Sequence, residues 1–211
     1  MIFDLDGTLI DSERLVIEAG VTLLADMGVA DGRAVLGELV GVDAEECGRR
    51  LLAHAGAGFD LAAFNAAWDN AARTAFAGGV PLMPGAAVLL EAIAGLGLPR
   101  AVATNSRTQN AIGKLDRAGL LHHFGEARVV GVDAVARAKP APDLFAEAAR
   151  RLGAEPDRCL VFEDSDTGVA AALAAGMRVV QVPDMTRPKT RDAHIVAKTL
   201  LDGARRAGLI G

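Results

Sequence analysis

The sequence predicts an α/β fold whose parallel sheet is interrupted, after its first strand, by an all-helical block. Three observations predict it. The chain opens on an apolar run that ends in acids, residues 14–81 keep helical spacing without a convincing strand, and short apolar runs alternate with helical stretches beyond Pro81. Strands separated by single helices imply βαβ units, and those units pair in parallel.

Taken in order, Ile2-Phe3 is the first β run and leads into Asp4-Leu5-Asp6-Gly7-Thr8. Leu15, Leu23, Leu24 and Met27, then Val35, Leu36 and Leu39, Leu51 and Leu52, and Phe59, Phe64, Trp68 and Phe76 follow at helical spacing. Gly28, Gly32, Gly41 and Gly78-Gly79 punctuate them, which predicts three or four helices. Arg100–Ala103 reads as a strand, Arg107–Ala118 as a helix closed by Gly119, and Arg128–Val130 as a strand. Asp143–Leu152 is a helix introduced by Pro142 and ended by Gly153. Cys159–Phe162 is a continuous β run suited to burial on both faces. Val169–Ala175 is an Ala-rich helix stopped by Gly176, and Arg178–Val182 is a strand. His194–Val196 and Thr199–Ala207 close the chain as a short strand and a helix.

A length of 211 residues suits one domain with a modest insertion. Composition is globular, with 51% hydrophobic and 23% charged residues. One Trp, no Tyr and seven Phe leave little for a flat aromatic binding face. A net charge of −5 disfavours a nucleic-acid partner held through phosphates. Cys47 and Cys159 form no CxxC, and His54, His122, His123 and His194 lack metal-ligand spacing. No apolar run approaches the roughly 18–20 residues of a membrane span, and the acidic opening is no signal peptide. The expectation is a soluble cytoplasmic monomer. Of the 22 cationic residues, 18 are Arg and four are Lys.

Four segments just beyond predicted strands carry candidate chemistry. Asp4 and Asp6 lie at the carboxyl end of the first strand, where open α/β sheets bind ligands. Residues two apart in extended chain point the same way, so both acids share one mouth unless the chain turns. Two such carboxylates repel and call for a cation or a raised pKa. Thr104-Asn105-Ser106 offers hydroxyl and N–H donors to phosphate oxygens. Lys139 precedes the proline-stiffened Pro140-Ala141-Pro142-Asp143. Glu163-Asp164-Ser165 places acids after a buried strand, where they are costly unless they face a cleft or bind a metal. Each has a plainer reading: an Asp-Gly turn, a solvated lysine, or helix capping by Thr104, Asp164 or Ser165.

Together DLDGT, the Thr after the second strand, KPAPD and EDSDTGVAAALAAGM resemble the haloacid dehalogenase superfamily, in its phosphatase and phosphomutase branch with a small helical cap. The resemblance implies a Rossmann-like catalytic core of residues 1–13 and 82–211 and a cap of residues 14–81. It implies Asp4 as nucleophile, forming an aspartyl-phosphate, and Asp6 as general acid and then base. It further implies Thr104, Asn105 and Lys139 on the phosphoryl oxygens, helped by the Leu5 and Asn105 N–H groups. Mg²⁺ is the implied cofactor, on the Asp4 side chain, the Asp6 backbone carbonyl and Asp164, with Glu163 direct or through water. The implied substrate is a small phosphorylated metabolite, a sugar phosphate by class.

Within the family, Asp6 and the Glu163–Asp164 pair argue against the metal-independent dehalogenases. Residues 14–81 contain no lysine, which excludes a Schiff base formed through a cap lysine. A β-phosphoglucomutase-like mutase is the alternative. Its cap arginine aligns with Ala44 in Gly41-Val42-Asp43-Ala44, its cap histidine with Val16, and its first motif ends Gly-Val where this one ends Gly-Thr. Five Arg against nine Asp and Glu give residues 14–81 a charge of −4, poorly matched to a second phosphate. Arg49 and Arg50 could supply that contact if the alignment shifts by a turn. A non-catalytic phosphate sensor is the other alternative, opposed by the presence of Asp4, Asp6 and Lys139 together. His54, Arg49, Asn65 and Trp68 are candidates for substrate contact, although Trp68 fits the apolar stripe of a core. Asp11-Ser12 reads as a hinge and the N-cap of the first cap helix.

Overall fold

The computed structural model describes residues 1–39, 44–56 and 58–211, with backbone alone at Ala44 and Asp69. The mutase comparison at Gly41, Val42 and Asp43 therefore lies outside the described residues. Two compact units emerge: Met1–Asp11 with Val80–Gly211, and Ser12–Gly79.

Among the described residues, six strands build one sheet in the first unit. They are β1 (Ile2–Phe3), β2 (Ala101–Ala103), β3 (Val129–Val130), β4 (Leu160–Glu163), β5 (Arg178–Gln181) and β6 (Ile195–Val196). The spatial order is β3-β2-β1-β4-β5-β6, and every pairing is parallel. This is the doubly wound arrangement, and its strand order reverses between β1 and β4. Ile2 lies opposite both Ala101 and Val161, so β1 is central and fully buried. Phe3 stacks on Phe162 at 5.3 Å between ring centroids, which fixes the β1–β4 seam immediately below the acids. Strand β4 runs one residue later than the sequence predicts, and Glu163 becomes its last residue, 1% exposed.

The second unit contains α1 (Ser12–Asp26), α2 (Gly32–Glu38), α3 (Ala44–Ala55) and α4 (Leu61–Ala75). Helix α1 begins at Ser12 itself. Asp60 caps α4 by accepting from the Ala63 N–H at 2.9 Å. Leu24, Val35, Leu36, Leu51 and Phe64 form the core, with Trp68 packed against it. Leu52, expected in the apolar stripe, is instead 40% exposed, because its neighbour Leu51 takes the inward position.

Gly20 shows how closely α1 is approached: a Cβ there would lie 2.3 Å from the Trp68 ring and 2.7 Å from Leu36. Overpacking of this kind costs about 1–3 kcal/mol. A Gly20→Val substitution is therefore expected to lower the melting temperature of this unit. Trp68 is the chain's one tryptophan, so its fluorescence reads the transition directly. An unchanged melt would contradict this packing.

In the first unit, α5 (Ala86–Gly95) buries Ala86, Leu89, Leu90 and Ile93 at helical spacing. Periodicity does not isolate this helix in the sequence, because its near-continuous apolar character hides the spacing. Helix α6 (Thr108–Arg117) follows β2, and α7 (Asp143–Leu152) has the limits the sequence predicts. Gly153 ends α7 at φ 62°, a left-handed cap suited to glycine. Helix α8 (Asp166–Ala174) starts three residues earlier than expected because the Ser165 side chain caps it, and α9 (Leu200–Arg206) is capped by Thr199.

His123 is buried on the short 3-10 turn Leu121–His123. Burial holds its imidazole below the ordinary 6.5, with His122 and Arg100 adding repulsion and Glu91 opposing them. The unfolded chain then binds the extra proton below about pH 6.5, so stability falls as pH drops through that region. A His123→Gln variant is expected to show a shallower acid-side decline in melting temperature than the parent. An equal decline would contradict this origin.

Candidate active site

The predicted residues converge at the carboxyl ends of β1, β2 and β4, beside the reversal of strand order. After β1 the chain turns at once. Gly7 adopts φ 83°, its N–H donates to the Ile10 carbonyl at 2.9 Å, and the Leu9 and Ile10 N–H groups both donate to the Leu5 carbonyl. A positive φ favours glycine. The space is tight as well: a Cβ at Gly7 would lie 2.8 Å from Asp164 Oδ2.

Asp4 follows β1, and its N–H donates to the Phe162 carbonyl at 2.9 Å. Its Oδ1 accepts from Lys139 Nζ at 2.6 Å, and the same ammonium donates to Glu163 Oε2 at 2.7 Å. All three side chains are buried. Burial and the neighbouring Glu163 carboxylate push the Asp4 carboxyl well above the usual carboxylate range, and Lys139 acts against them. Burial also works against the Lys139 ammonium, but Asp4 and Glu163 outweigh it and hold the group above the ordinary lysine range. Lys139 Nζ also stands 4.7 Å from the centre of the Phe145 ring, a cation–π contact.

Glu163 is fixed from its other oxygen, since Oε1 accepts from the Ser165 hydroxyl at 2.7 Å and the Ser165 N–H at 3.1 Å. Ser165 Oγ in turn accepts from the Gly168 N–H at 3.0 Å, so Ser165 caps the following helix while it binds Glu163. A Cβ at Gly168 would fall 2.0 Å from the Glu163 carboxyl, and only glycine leaves room for it. Asp164 carries its carboxylate 3.4 Å from Thr8 Oγ1, while Gln181 Nε2 donates to the Asp164 carbonyl at 3.3 Å.

Thr104 is 2% exposed, and its Oγ1 accepts from the Ser106 N–H at 3.1 Å. Asn105 turns its side-chain carbonyl to the Lys139 N–H at 3.0 Å, tying the loop after β2 to the lysine. Asp6 is bound by Ser106, whose segment the sequence assigns to phosphate oxygens instead, and by Lys114, which the sequence does not mark out for the site. Lys114 Nζ donates to Asp6 Oδ1 at 2.7 Å, and Ser106 Oγ donates to Oδ2 at 2.9 Å. Lysine count was the available signal, since Lys114 and Lys139 are turned to carboxylates whereas Lys189 and Lys198 are exposed.

The candidates in the Ser12–Gly79 unit are engaged within that unit or face outward. His54 Nε2 lies 3.2 Å from the Ala30 carbonyl, Arg49 pairs with Glu46, Asn65 is exposed and Trp68 packs on the core.

Asp4, Glu163 and Asp164 bring carboxylate oxygens within 4.8 Å of one another and could hold a metal ion. The donors are all oxygen, as a hard divalent cation prefers. Four acidic side chains, Asp4, Asp6, Glu163 and Asp164, stand against two ammonium groups, a surplus of acid that suits a cation. Glu91, His122 and His123 form a second cluster of ligand-type atoms within 4.8 Å, but the Arg100 guanidinium opposes a cation there.

A family model described as haloacid dehalogenase-like hydrolase matches residues 1–176. The chain is 34% identical over 213 aligned positions to a probable pseudouridine-5'-phosphatase of Drosophila melanogaster, covering 95% of this chain and 89% of that one. It is 33% identical to the fructose-1-phosphate phosphatase YqaB of Escherichia coli strain K12, covering 86% and 95%. A solved HAD family hydrolase from Deinococcus radiodurans R1, with bound phosphate and sodium, superposes at a TM-score of 0.81 and 32% identity, covering 99% and 96%. With these matches spanning most of its length, and four motifs meeting at the carboxyl end of the sheet, the chain belongs to the haloacid dehalogenase-like hydrolases and is a phosphatase.

Proposed function

We propose that this enzyme hydrolyses a small phosphorylated metabolite, a sugar phosphate by class, through an aspartyl-phosphate on Asp4, with Mg²⁺ as cofactor. The observation that carries the reading is the Lys139 ammonium bridging Asp4 and Glu163 at the switch point of the sheet. It holds the Asp4 carboxylate in place inside a buried site. An ammonium has three N–H donors, and two serve the carboxylates, so the third is assigned to a phosphoryl oxygen. Thr104 Oγ1 accepts from Ser106, and its own proton is assigned to a second phosphoryl oxygen.

The Asp4 carboxylate attacks phosphorus in line, forming an O–P bond as the bond to the leaving oxygen breaks. Asp6 gives its proton to that oxygen and releases the alcohol. Asp6 then takes a proton from water as the water oxygen bonds to phosphorus and the Asp4–phosphorus bond breaks. Inorganic phosphate leaves and both carboxyls return to their starting states. The Asp4 and Asp164 side chains, the Asp6 carbonyl and Glu163, directly or through water, would hold Mg²⁺, which when bound would supply positive charge against the phosphoryl oxygens.

Hydrolysis is favoured over phosphate transfer between two positions of one sugar because residues 14–81 are lysine-free and acidic. Phosphate release across a panel of sugar and nucleoside phosphates tests the reading. Turnover is expected only with Mg²⁺, lost on chelation and restored on adding the cation back. Full activity in excess chelator would contradict the metal assignment. Interconversion of glucose 1-phosphate and glucose 6-phosphate without phosphate release would assign a mutase, and inertness to every phosphate would assign a sensor.

A further inference from the structure

We infer that Lys114 and Ser106 form a clamp that positions the Asp6 carboxyl group for proton transfer to the leaving group. The inference rests on the reading of Asp6 as proton carrier. Lys114 Nζ grips Oδ1 at 2.7 Å, Ser106 Oγ grips Oδ2 at 2.9 Å, and Lys114 Nζ lies 3.2 Å from Ser106 Oγ, closing a triangle. Both carboxyl oxygens are thereby engaged. A protonated Asp6 has one O–H to donate to the leaving oxygen while its oxygens still accept from Lys114 and Ser106.

The helix supplies the reach. On α6, Ala111 and Leu115 are buried, and Lys114 follows Ala111 by three positions on the same flank. Side chains on a helix tilt toward its N-terminus, which here is the loop carrying Ser106. Lys114 therefore runs back along the helix to Asp6, and its side chain is only 16% exposed. Its neighbour Arg117 does what a cation in a last helical turn ordinarily does, donating to the Gly113 carbonyl at 3.0 Å. Lys114 departs from that pattern, in a chain that uses Arg for 18 of its 22 cations. A compact ammonium on a flexible stem fits a point contact better than a planar guanidinium.

General acid catalysis by a positioned group contributes about 10²–10⁴-fold, and it depends on the reach of the acid to the proton acceptor. Its benefit is largest where the leaving alkoxide is a strong base and smallest where the leaving group departs unaided. Comparing an alkyl phosphate, the best sugar phosphate of the panel, with p-nitrophenyl phosphate separates clamp from scaffold. The constant kcat/KM reads only through formation of the aspartyl-phosphate, before Asp6 is needed as base.

For Lys114→Met, kcat/KM is expected to fall at least about tenfold further on the alkyl ester than on the aryl ester, expressed in kcat rather than KM. Lys114→Arg should recover part of the loss, and Ser106→Ala should show a smaller loss of the same selectivity. Equal losses on both esters, or no loss in either Lys114→Met or Ser106→Ala, would overturn the clamp. Asp6→Asn, assayed alongside, separates the two readings. If that variant is selectively poor on the alkyl ester while Lys114→Met is not, the clamp alone falls. If Asp6→Asn shows no selectivity, the proton-carrier reading falls and takes the clamp with it.

Discussion

Asp4→Asn is expected to abolish phosphate release, by at least about 10³-fold, and to leave the fold intact. The amide keeps the shape of the carboxyl and its carbonyl still accepts from Lys139, but it has no anionic oxygen to attack phosphorus. Folding tolerates the change because Asp4 is costly as an anion. It is 7% exposed, and burial and Glu163 both disfavour its charge. Lys139 keeps Glu163 as an anionic partner at 2.7 Å. The melting temperature should stay level or rise. Measurable turnover in a well-folded Asp4→Asn preparation would remove Asp4 from the role of nucleophile.

Lys139→Met carries the second large effect, on activity and stability together. The substitution leaves the Asp4 and Glu163 carboxylates buried beside each other without their shared cation. Breaking a buried pair from one side costs about 3–5 kcal/mol. The pH dependence gives the cause away. With the ammonium gone, the Asp4 carboxyl is held still further above its unfolded value, so the native state binds the proton more tightly than the unfolded chain does. Stability of the variant then rises as pH falls from neutrality toward the unfolded carboxyl range. Adding Asp4→Asn in the same chain should restore part of the melting temperature at neutral pH, because one of the two opposed charges is removed. A Lys139→Met variant equally stable at pH 5 and pH 8, unaffected by Asp4→Asn, would show that the bridge does not hold the site together.

These effects explain why much of the site is legible in the sequence. Asp4, Thr104 and Asp164 follow strands immediately, Glu163 ends β4, and Lys139 stands in the loop beyond β3, so a parallel sheet gathers them without detailed knowledge of its packing. What is hidden depends on paths through helices or on close approach. Lys114 meets Asp6 only because α6 turns that flank back toward the loop after β2. Gly168 matters because the Glu163 carboxyl fills the space its side chain would take. Ser165 is both helix cap and Glu163 partner, two roles one residue letter cannot separate. In the fold, α5 escapes periodicity because its exposed flank also carries apolar residues, Val88 at 61% exposure among them. Leu51 and Leu52 are interchangeable by composition, and helix rotation alone decides that Leu51 turns inward.

The covalent step is the centre of this account, and one experiment addresses it directly. The enzyme is quenched during turnover with Mg²⁺, reduced with borohydride and digested with trypsin, and residues 1–14 are sequenced by mass spectrometry. An acyl phosphate is reduced to the alcohol, so the account predicts homoserine at position 4, dependent on substrate and absent from Asp4→Asn. Active enzyme that yields none there, or yields it at Asp6 or Asp11, would contradict the account.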